Sequence, residues 1–392
     1  MKNLKTINQE TIKVTNQKKI IQLLYREKQL TKLRISQAIN VSIPTVISNV
    51  KDLIKEGYLD ETEVGESSGG RKPVIVRFLP NCRYSFGILI TKEQVRIILT
   101  NLNFSIIVEK IINITDKVAD FNNIIIEIKK EINNIISIND IPLYKILGIG
   151  FSLPGTVNEE ELILKNAPNL KLKNICFKNF ERDFPVPIFI ENEANASAYA
   201  EAFINFNYVK SSLVFISITE GIGTGIIITD NVYKGFNKRA GEFGHMTIMK
   251  DGKQCNCGKK GCWELYASKK ALLDEYKTAY NIKNNSLKDF MEMSKTDNKA
   301  KKILNTYLEF LAEGIKNIIL ILDPGCIIID GEISEYKSLI ETELIDKIFK
   351  QNDFYDKKEC NVSFSNLEGN ASILGAAFLP MRKLFFLDKK VI

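Results

Sequence analysis

Along the first eighty positions, apolar residues recur at the three- and four-residue intervals of short amphipathic helices. Ile20, Ile21, Leu23 and Leu24 share one face of a segment from about Asn16 to Glu27, and the pattern stops in the polar stretch 27–29. A second short helix is predicted over about 31–39. A third starts after Asn40, with Ser42 as its N-cap and Pro44 in its first turn. Within it Val46, Ile47, Val50, Leu53 and Ile54 recur at helical spacing, and Gly57 ends it as a C′ glycine would. Strand-like runs at about 58–64 and 74–79 then flank the glycine-rich loop GESSGGRKP. Three helices followed by such a hairpin predict a winged helix-turn-helix over residues 1–80.

From about Cys82 the pattern changes to strands first and helices later. Strands are predicted at about 86–90, 95–100, 106–112 and 146–151, with an amphipathic helix over about 120–138. A second round begins with a strand at 213–218, a turn GIGTG at 221–225 and a strand at 226–229, and continues as helices to about 322. This alternation predicts a two-lobed α/β domain over 81–392. Its lobes are expected at approximately 81–195 and 196–392, with a C-terminal helix that can return to the first lobe.

Charge sharpens the reading of the N-terminus. Residues 1–80 carry fourteen Lys and Arg against eight Asp and Glu, so nearly all of the chain's net charge of +7 lies there. Clustered cations favour a polyanion such as double-stranded DNA, because neutralised phosphates release counterions. The outward positions of the third helix, Thr45, Ser48, Asn49, Lys51 and Lys55, together with Ser42, are the candidate contacts to phosphates and base edges. Arg71 and Lys72 at the tip of the loop are the candidate wing contacts. One such module reads only a short half-site, so a homodimer or dimer of dimers on an inverted-repeat operator is expected. No apolar run approaches the roughly twenty residues that span a bilayer, and the N-terminus lacks a signal peptide's apolar middle, which predicts a cytoplasmic protein without a membrane partner.

Three of the seven cysteines crowd into positions 255–262, and the chain's single histidine, His245, precedes them in GEFGHMTIMKDGKQCNCGKKGCWE. His245, Cys255, Cys257 and Cys262 form a Cys₃His set, which zinc accepts tetrahedrally, and four filled positions mean a structural site. Free cysteines favour apolar surroundings, whereas these lie among Lys, Asn and Gly. Gly258 and Gly261 allow the loop to double back so that the third thiolate can reach the ion.

The arrangement GEFGH, then C-x-C-G-x-x-G-C-x-E, with ENEANASAYAE at 191–201 and PGTV at 154–157, resembles the ROK family of bacterial repressors and sugar kinases. The match covers nearly the whole chain, since ROK repressors also begin with a winged helix-turn-helix ending in a G-R-x-P wing, here Gly70 to Pro73. The resemblance implies an actin-like, ribonuclease-H-type fold with a sugar in the cleft between lobes. By carry-over, Asn192, Glu193, Glu242, His245 and Glu264 would contact the sugar, and Gly155 and Thr156 would line the same cleft. Carboxylates and an amide suit a ring of hydroxyls that each donate and accept. His245 could hold the metal with one ring nitrogen and meet the sugar with the other.

The family's kinases carry D-x-G-G-T after the first strand, where Leu89 stands here in place of the aspartate and both glycines are missing. Glu193 replaces their catalytic aspartate, and Asp330 takes a glycine position near the nucleotide. These departures imply a sugar-sensing repressor with no catalytic residues. The alternative is a ROK sugar kinase that retains a DNA-binding domain, and a third reading is a constitutive DNA-binding protein with a structural zinc domain. The ENEAN variant with an altered nucleotide half most resembles the family's xylose repressors from low-GC Gram-positive bacteria. Xylose is therefore the favoured inducer, with glucose or another hexose as runner-up.

Overall fold

The computed structural model describes residues 9–63, 74–114, 120–204, 212–283, 286–350 and 354–385. The chain divides into two compact units. One takes residues up to 151 with 178–189 and 377 onward, and the other takes 152–177 and 190–376.

The first unit begins with α1 (Gln9–Glu27), β1 (Gln29–Thr31), α2 (Lys32–Ile39) and α3 (Ile43–Lys55), followed by β2 (Leu59–Glu63) and β3 (Val74–Phe78). The three strands form an antiparallel sheet in the order β1-β3-β2. Ile20, Ile21 and Leu24 of α1, Ile35 of α2, and Val46, Val50 and Leu53 of α3 are buried together with Val76 and Phe78. The first helix is two turns longer than its apolar pattern. Its polar start is held by the Lys13–Asp52 ion pair at 2.6 Å, an attachment to α3 that hydrophobic periodicity cannot register.

Two positions in α3 correct the sequence reading. Ile47, which its spacing predicts to be buried, is 45% exposed, whereas Asn49, predicted to face outward, is 3% exposed. The helix turns Val46, Asn49, Val50 and Leu53 inward, and Asn49 Nδ2 donates to the Thr45 carbonyl at 2.8 Å. Asn49 is therefore withdrawn as a DNA contact: an amide committed to the helix backbone and shielded from solvent cannot reach a base edge.

The chain then runs through β4 (Tyr84–Ile90), β5 (Gln94–Asn101), β6 (Ile106–Asn113), α4 (Phe121–Ile138) and β7 (Ile146–Leu153). Next come β8 (Thr156–Asn158), β9 (Ile163–Ala167) and β10 (Leu172–Cys176), a small antiparallel sheet, and then β11 (Ile188–Asn192). A five-stranded sheet has the order β11-β7-β4-β5-β6. In α4, Phe121, Ile124, Ile125, Ile128, Ile132 and Ile135 are buried at helical spacing, as the periodicity predicts.

The second unit continues with α5 (Glu193–Ile204), β12 (Leu213–Ile218), β13 (Ile222–Ile228), β14 (Asn231–Val232), α6 (Glu264–Ala267), α7 (Lys269–Tyr280), α8 (Leu287–Met293) and α9 (Asn298–Leu322). It closes with β15 (Cys326–Asp330), α10 (Lys337–Phe349), β16 (Asn361–Phe364) and the start of α11 (Ala371–Phe385). Its sheet has the order β14-β13-β12-β15-β16, with β15 parallel to both neighbours. Only the first residue of GIGTG is in the turn: Ile218 pairs with Ile222, so the chain reverses through 219–221, and Gly223 and Gly225 lie within β13. A Cβ at Gly225 would come within 2.5 Å of the Ala194 carbonyl oxygen, so these glycines let α5 pack closely on the strand. Trp263 is fully buried in the unit's core and donates from Nε1 to the Phe310 carbonyl. No helix among the described residues is long and apolar enough to cross a membrane.

Candidate functional site

The exposed face of α3 consists of Ser42 at its start, Ile43, Pro44, Ile47, Ser48, Lys51 and Lys55. Ser42 does not cap through its side chain. Its hydroxyl instead lies 2.8 Å from that of the half-buried Thr45. Arg71 and Lys72 lie outside the described residues. Three nearby cations are tied in ion pairs, Lys13 to Asp52, Lys32 to Glu61 and Arg77 to Asp60, which hold the helices and hairpin together.

In the second unit, Glu191 and Asn192 end β11 and Glu193 begins α5 directly after them. Asn192 Oδ1 accepts the N–H groups of Ala194 (2.9 Å) and Asn195 (3.1 Å), which caps the start of α5, and its Nδ2 donates to the Gly155 carbonyl at 2.8 Å. Gly155 has φ +91°, and a Cβ there would lie 2.1 Å from the Asn166 carbonyl oxygen, so only glycine fits. One cavity is lined by Gly155, Thr156, Asn192, Glu193, Asn195 and Glu242, among others. Five of the seven expected sugar-site residues are thus brought together. Burial raises the pKa of the Glu193 carboxyl.

Sequence reasoning missed two further lining residues, Lys234 and Lys238. Lys234 Nζ bridges Glu191, only 2% exposed, at 2.6 Å and Glu159 at 2.8 Å. Lys238 Nζ reaches Glu159 and Asn158, each at 3.1 Å. Burial alone would raise the Glu159 carboxyl, but the two lysines outweigh it and hold its pKa below the ordinary value. Glu191 also accepts the N–H of Asn192 at 2.9 Å and Nδ2 of Asn195 at 3.3 Å. Lys234 therefore orients the whole Glu191–Asn195 segment. Two lysines among the fifty-four Lys and Arg of this chain, some forty residues from Glu191, give no pattern to find.

Glu242 immediately precedes a short 3₁₀ turn, Phe243–His245, that is pressed against β13: a Cβ at Gly244 would lie 2.2 Å from the Ile222 carbonyl oxygen. At the far end of this turn, His245 joins Cys255, Cys257 and Cys262, with one ligand atom from each lying within 4.8 Å of all the others. Cys257 Sγ and Cys262 Sγ are 3.6 Å apart, and Cys255 Sγ is 3.7 Å from His245 Nδ1. Metal–sulfur bonds of about 2.3 Å give a tetrahedral S···S edge of about 3.8 Å, so the donors fit one tetrahedral ion. Gly258 and Gly261 both have positive φ, +90° and +74°, as the doubled-back loop requires. The Lys259 N–H directed at Cys257 lowers the pKa of that thiol.

His245 and Glu264 are not among the cavity-lining residues. Glu264 Oε1 lies 3.3 Å from His245 Nδ1 and 3.2 Å from Cys255 Sγ, which places this carboxylate at the cluster. The nitrogen facing the thiols is Nδ1, leaving Nε2 as the outward one. One short turn thus links a metal-competent cluster to a cavity lined by carboxylates and amides.

Leu89 is a half-buried residue of β4, paired in register with Arg96, and provides no carboxylate. Asp330, at the end of β15, is 7% exposed, and burial raises its pKa.

The ROK family model matches residues 86–383, and a winged helix-turn-helix DNA-binding model matches residues 15–60. A xylose repressor from Bacillus spizizenii is 32% identical over 351 residues, which cover 88% of this chain and 90% of that protein. Among solved structures, a ROK family transcriptional regulator, homolog of the E. coli MLC protein, superposes with a TM-score of 0.81 at 23% identity, over 96% of this chain and 97% of the other. A ROK hexokinase from Thermus thermophilus matches with a TM-score of 0.63 at 19% identity, over 75% of this chain and 97% of its own.

Proposed function

The chain belongs to the ROK family, and from that premise we propose that it is a transcriptional repressor that binds operator DNA through its winged helix-turn-helix and releases it on binding a sugar. The observation that carries this reading is the cavity holding Gly155, Thr156, Asn192, Glu193 and Glu242, joined by one 3₁₀ turn to the His245–Cys₃ cluster. The cavity offers the carboxylates of Glu193 and Glu242 as acceptors of ring hydroxyls, and the second N–H of the Asn192 amide as a donor. Zinc held by His245 Nδ1 and the three thiolates would fix the turn, and with it Glu242, without taking part in a reaction. His245 Nε2 and Glu264 would meet the sugar from the cluster side. The name of the Bacillus relative supports xylose as the inducer. The repressor would act in the cytoplasm as a homodimer or dimer of dimers, with Arg71 and Lys72 contributing phosphate contacts.

A second reading, a sugar kinase that kept a DNA-binding domain, draws on one observation: the buried carboxyl of Glu193 has the raised pKa of a candidate base. Against it stands Leu89, where magnesium would need a carboxylate. Thermal unfolding with a panel of pentoses and hexoses separates the readings when paired with a turnover assay. A sugar bound to the native state raises the midpoint, and the repressor reading expects this with xylose and no phosphorylation with ATP and magnesium. Xylose or glucose turnover that vanishes in Glu193→Gln would establish the kinase instead.

A further inference from the structure

The face that α3 presents to solvent is partly apolar. Ile43 and Ile47, one helical turn apart, are 41% and 45% exposed, and the adjoining exposed side chains on that face are Ser48 and Lys51. Scattered apolar residues on a surface need no explanation, but these two are adjacent on the helix a winged helix-turn-helix places in the major groove. The face also lacks the groups that read purines by paired hydrogen bonds. No Arg, Gln or Asn is exposed on it, because Asn49 is buried with its amide on the Thr45 carbonyl. Major-groove base edges carry one apolar group, the C5 methyl of thymine. Isoleucine suits this contact because its branched side chain is stiff and loses little freedom on docking.

We propose that Ile43 and Ile47 are specificity-determining residues that pack on thymine methyl groups, so that each operator half-site is read chiefly by the placement of its thymines. Ser48 and Lys51 then supply the polar contacts beside them. The proposal rests on the DNA-binding reading above and adds which chemical feature of the DNA is recognised.

Deoxyuridine differs from thymidine only by the missing methyl. A site is first selected from random duplex DNA with the full-length protein, and each thymine of the half-site is then replaced by deoxyuridine. One methyl transferred from water to an apolar contact should change affinity about fourfold. The wild-type protein is expected to lose about that factor at one or two positions. Ile47→Ala should show no further loss at one of them, and Ile43→Ala at the other. Neither variant should change the dependence of affinity on salt, since no phosphate contact is removed. A selected site whose thymines can all be replaced without loss, or with equal loss in wild type and both variants, would overturn the proposal. Failure to select any site would overturn the DNA-binding reading itself, and this proposal with it.

Discussion

Replacing Lys234 with methionine tests whether the cavity is held together by the charge network beneath it. The substitution keeps the apolar stem and removes the ammonium that neutralises Glu191, which is 2% exposed and has Lys234 Nζ at 2.6 Å. Stranding one partner of a buried ion pair costs about 3–5 kcal/mol. Glu191 would retain the Asn192 N–H and Asn195 amide bonds, which places the expected loss near the lower end, about 3 kcal/mol. For a unit of this size, urea m-values approach about 3 kcal/mol per molar, so the midpoint should fall by about 1 M. The chain's single tryptophan, Trp263, is buried in the same unit, so its fluorescence reports that unit's unfolding. Lys234→Met combined with Glu191→Gln should recover part of the loss, because the stranded charge is then gone. A Lys234→Met midpoint within about 0.2 M of wild type, or a double variant no more stable than the single, would refute the argument.

Three further outcomes follow from the same geometry. Cys262→Ser should reduce bound zinc per chain in elemental analysis, whereas Glu242→Gln should leave it unchanged while weakening the sugar response. Gly155→Ala forces the Asn166 carbonyl to move from its 2.1 Å clash and disturbs the carbonyl that receives Asn192; calorimetry should find sugar binding lost with zinc retained. Glu159 and Glu193 should give opposite acid limbs in stability measured against pH. The lowered pKa of Glu159 contributes stability that is complete above its unfolded value and is lost as pH falls through the folded value. The raised pKa of Glu193 means stability is lost as pH rises from the unfolded value through the folded one, so Glu193→Gln should be more stable than wild type at neutral pH.

Spacing made much of this molecule legible. The triplet Val46, Val50 and Leu53 marked the buried stripe of α3, and the clustering of three cysteines near the single histidine marked the metal-competent loop, because both signals are local. What was lost was register and distance. In α3, Ile47 and Asn49 flank that stripe, and hydrophobicity alone chooses the isoleucine for the core, whereas the packed helix is rotated so that the amide goes in. Glycines suggested a turn at 221–225, but Gly223 and Gly225 serve the close approach of α5 to a strand. Lys234 acquires its meaning only through Glu191 and Glu159, which the fold brings to it from far along the chain.

Sugar binding and operator binding are expected to oppose each other in one chain. Fluorescence anisotropy of a labelled operator duplex, titrated with the full-length protein with and without saturating D-xylose, measures that coupling directly. A ligand shifts such an equilibrium only through differential affinity for the two states, with coupling of typically 1–3 kcal/mol. Xylose should raise the Kd for operator about 5- to 150-fold in wild type and much less in Glu242→Gln. An operator Kd unchanged by xylose, by glucose and by other monosaccharides, in protein carrying its metal, would contradict that expectation.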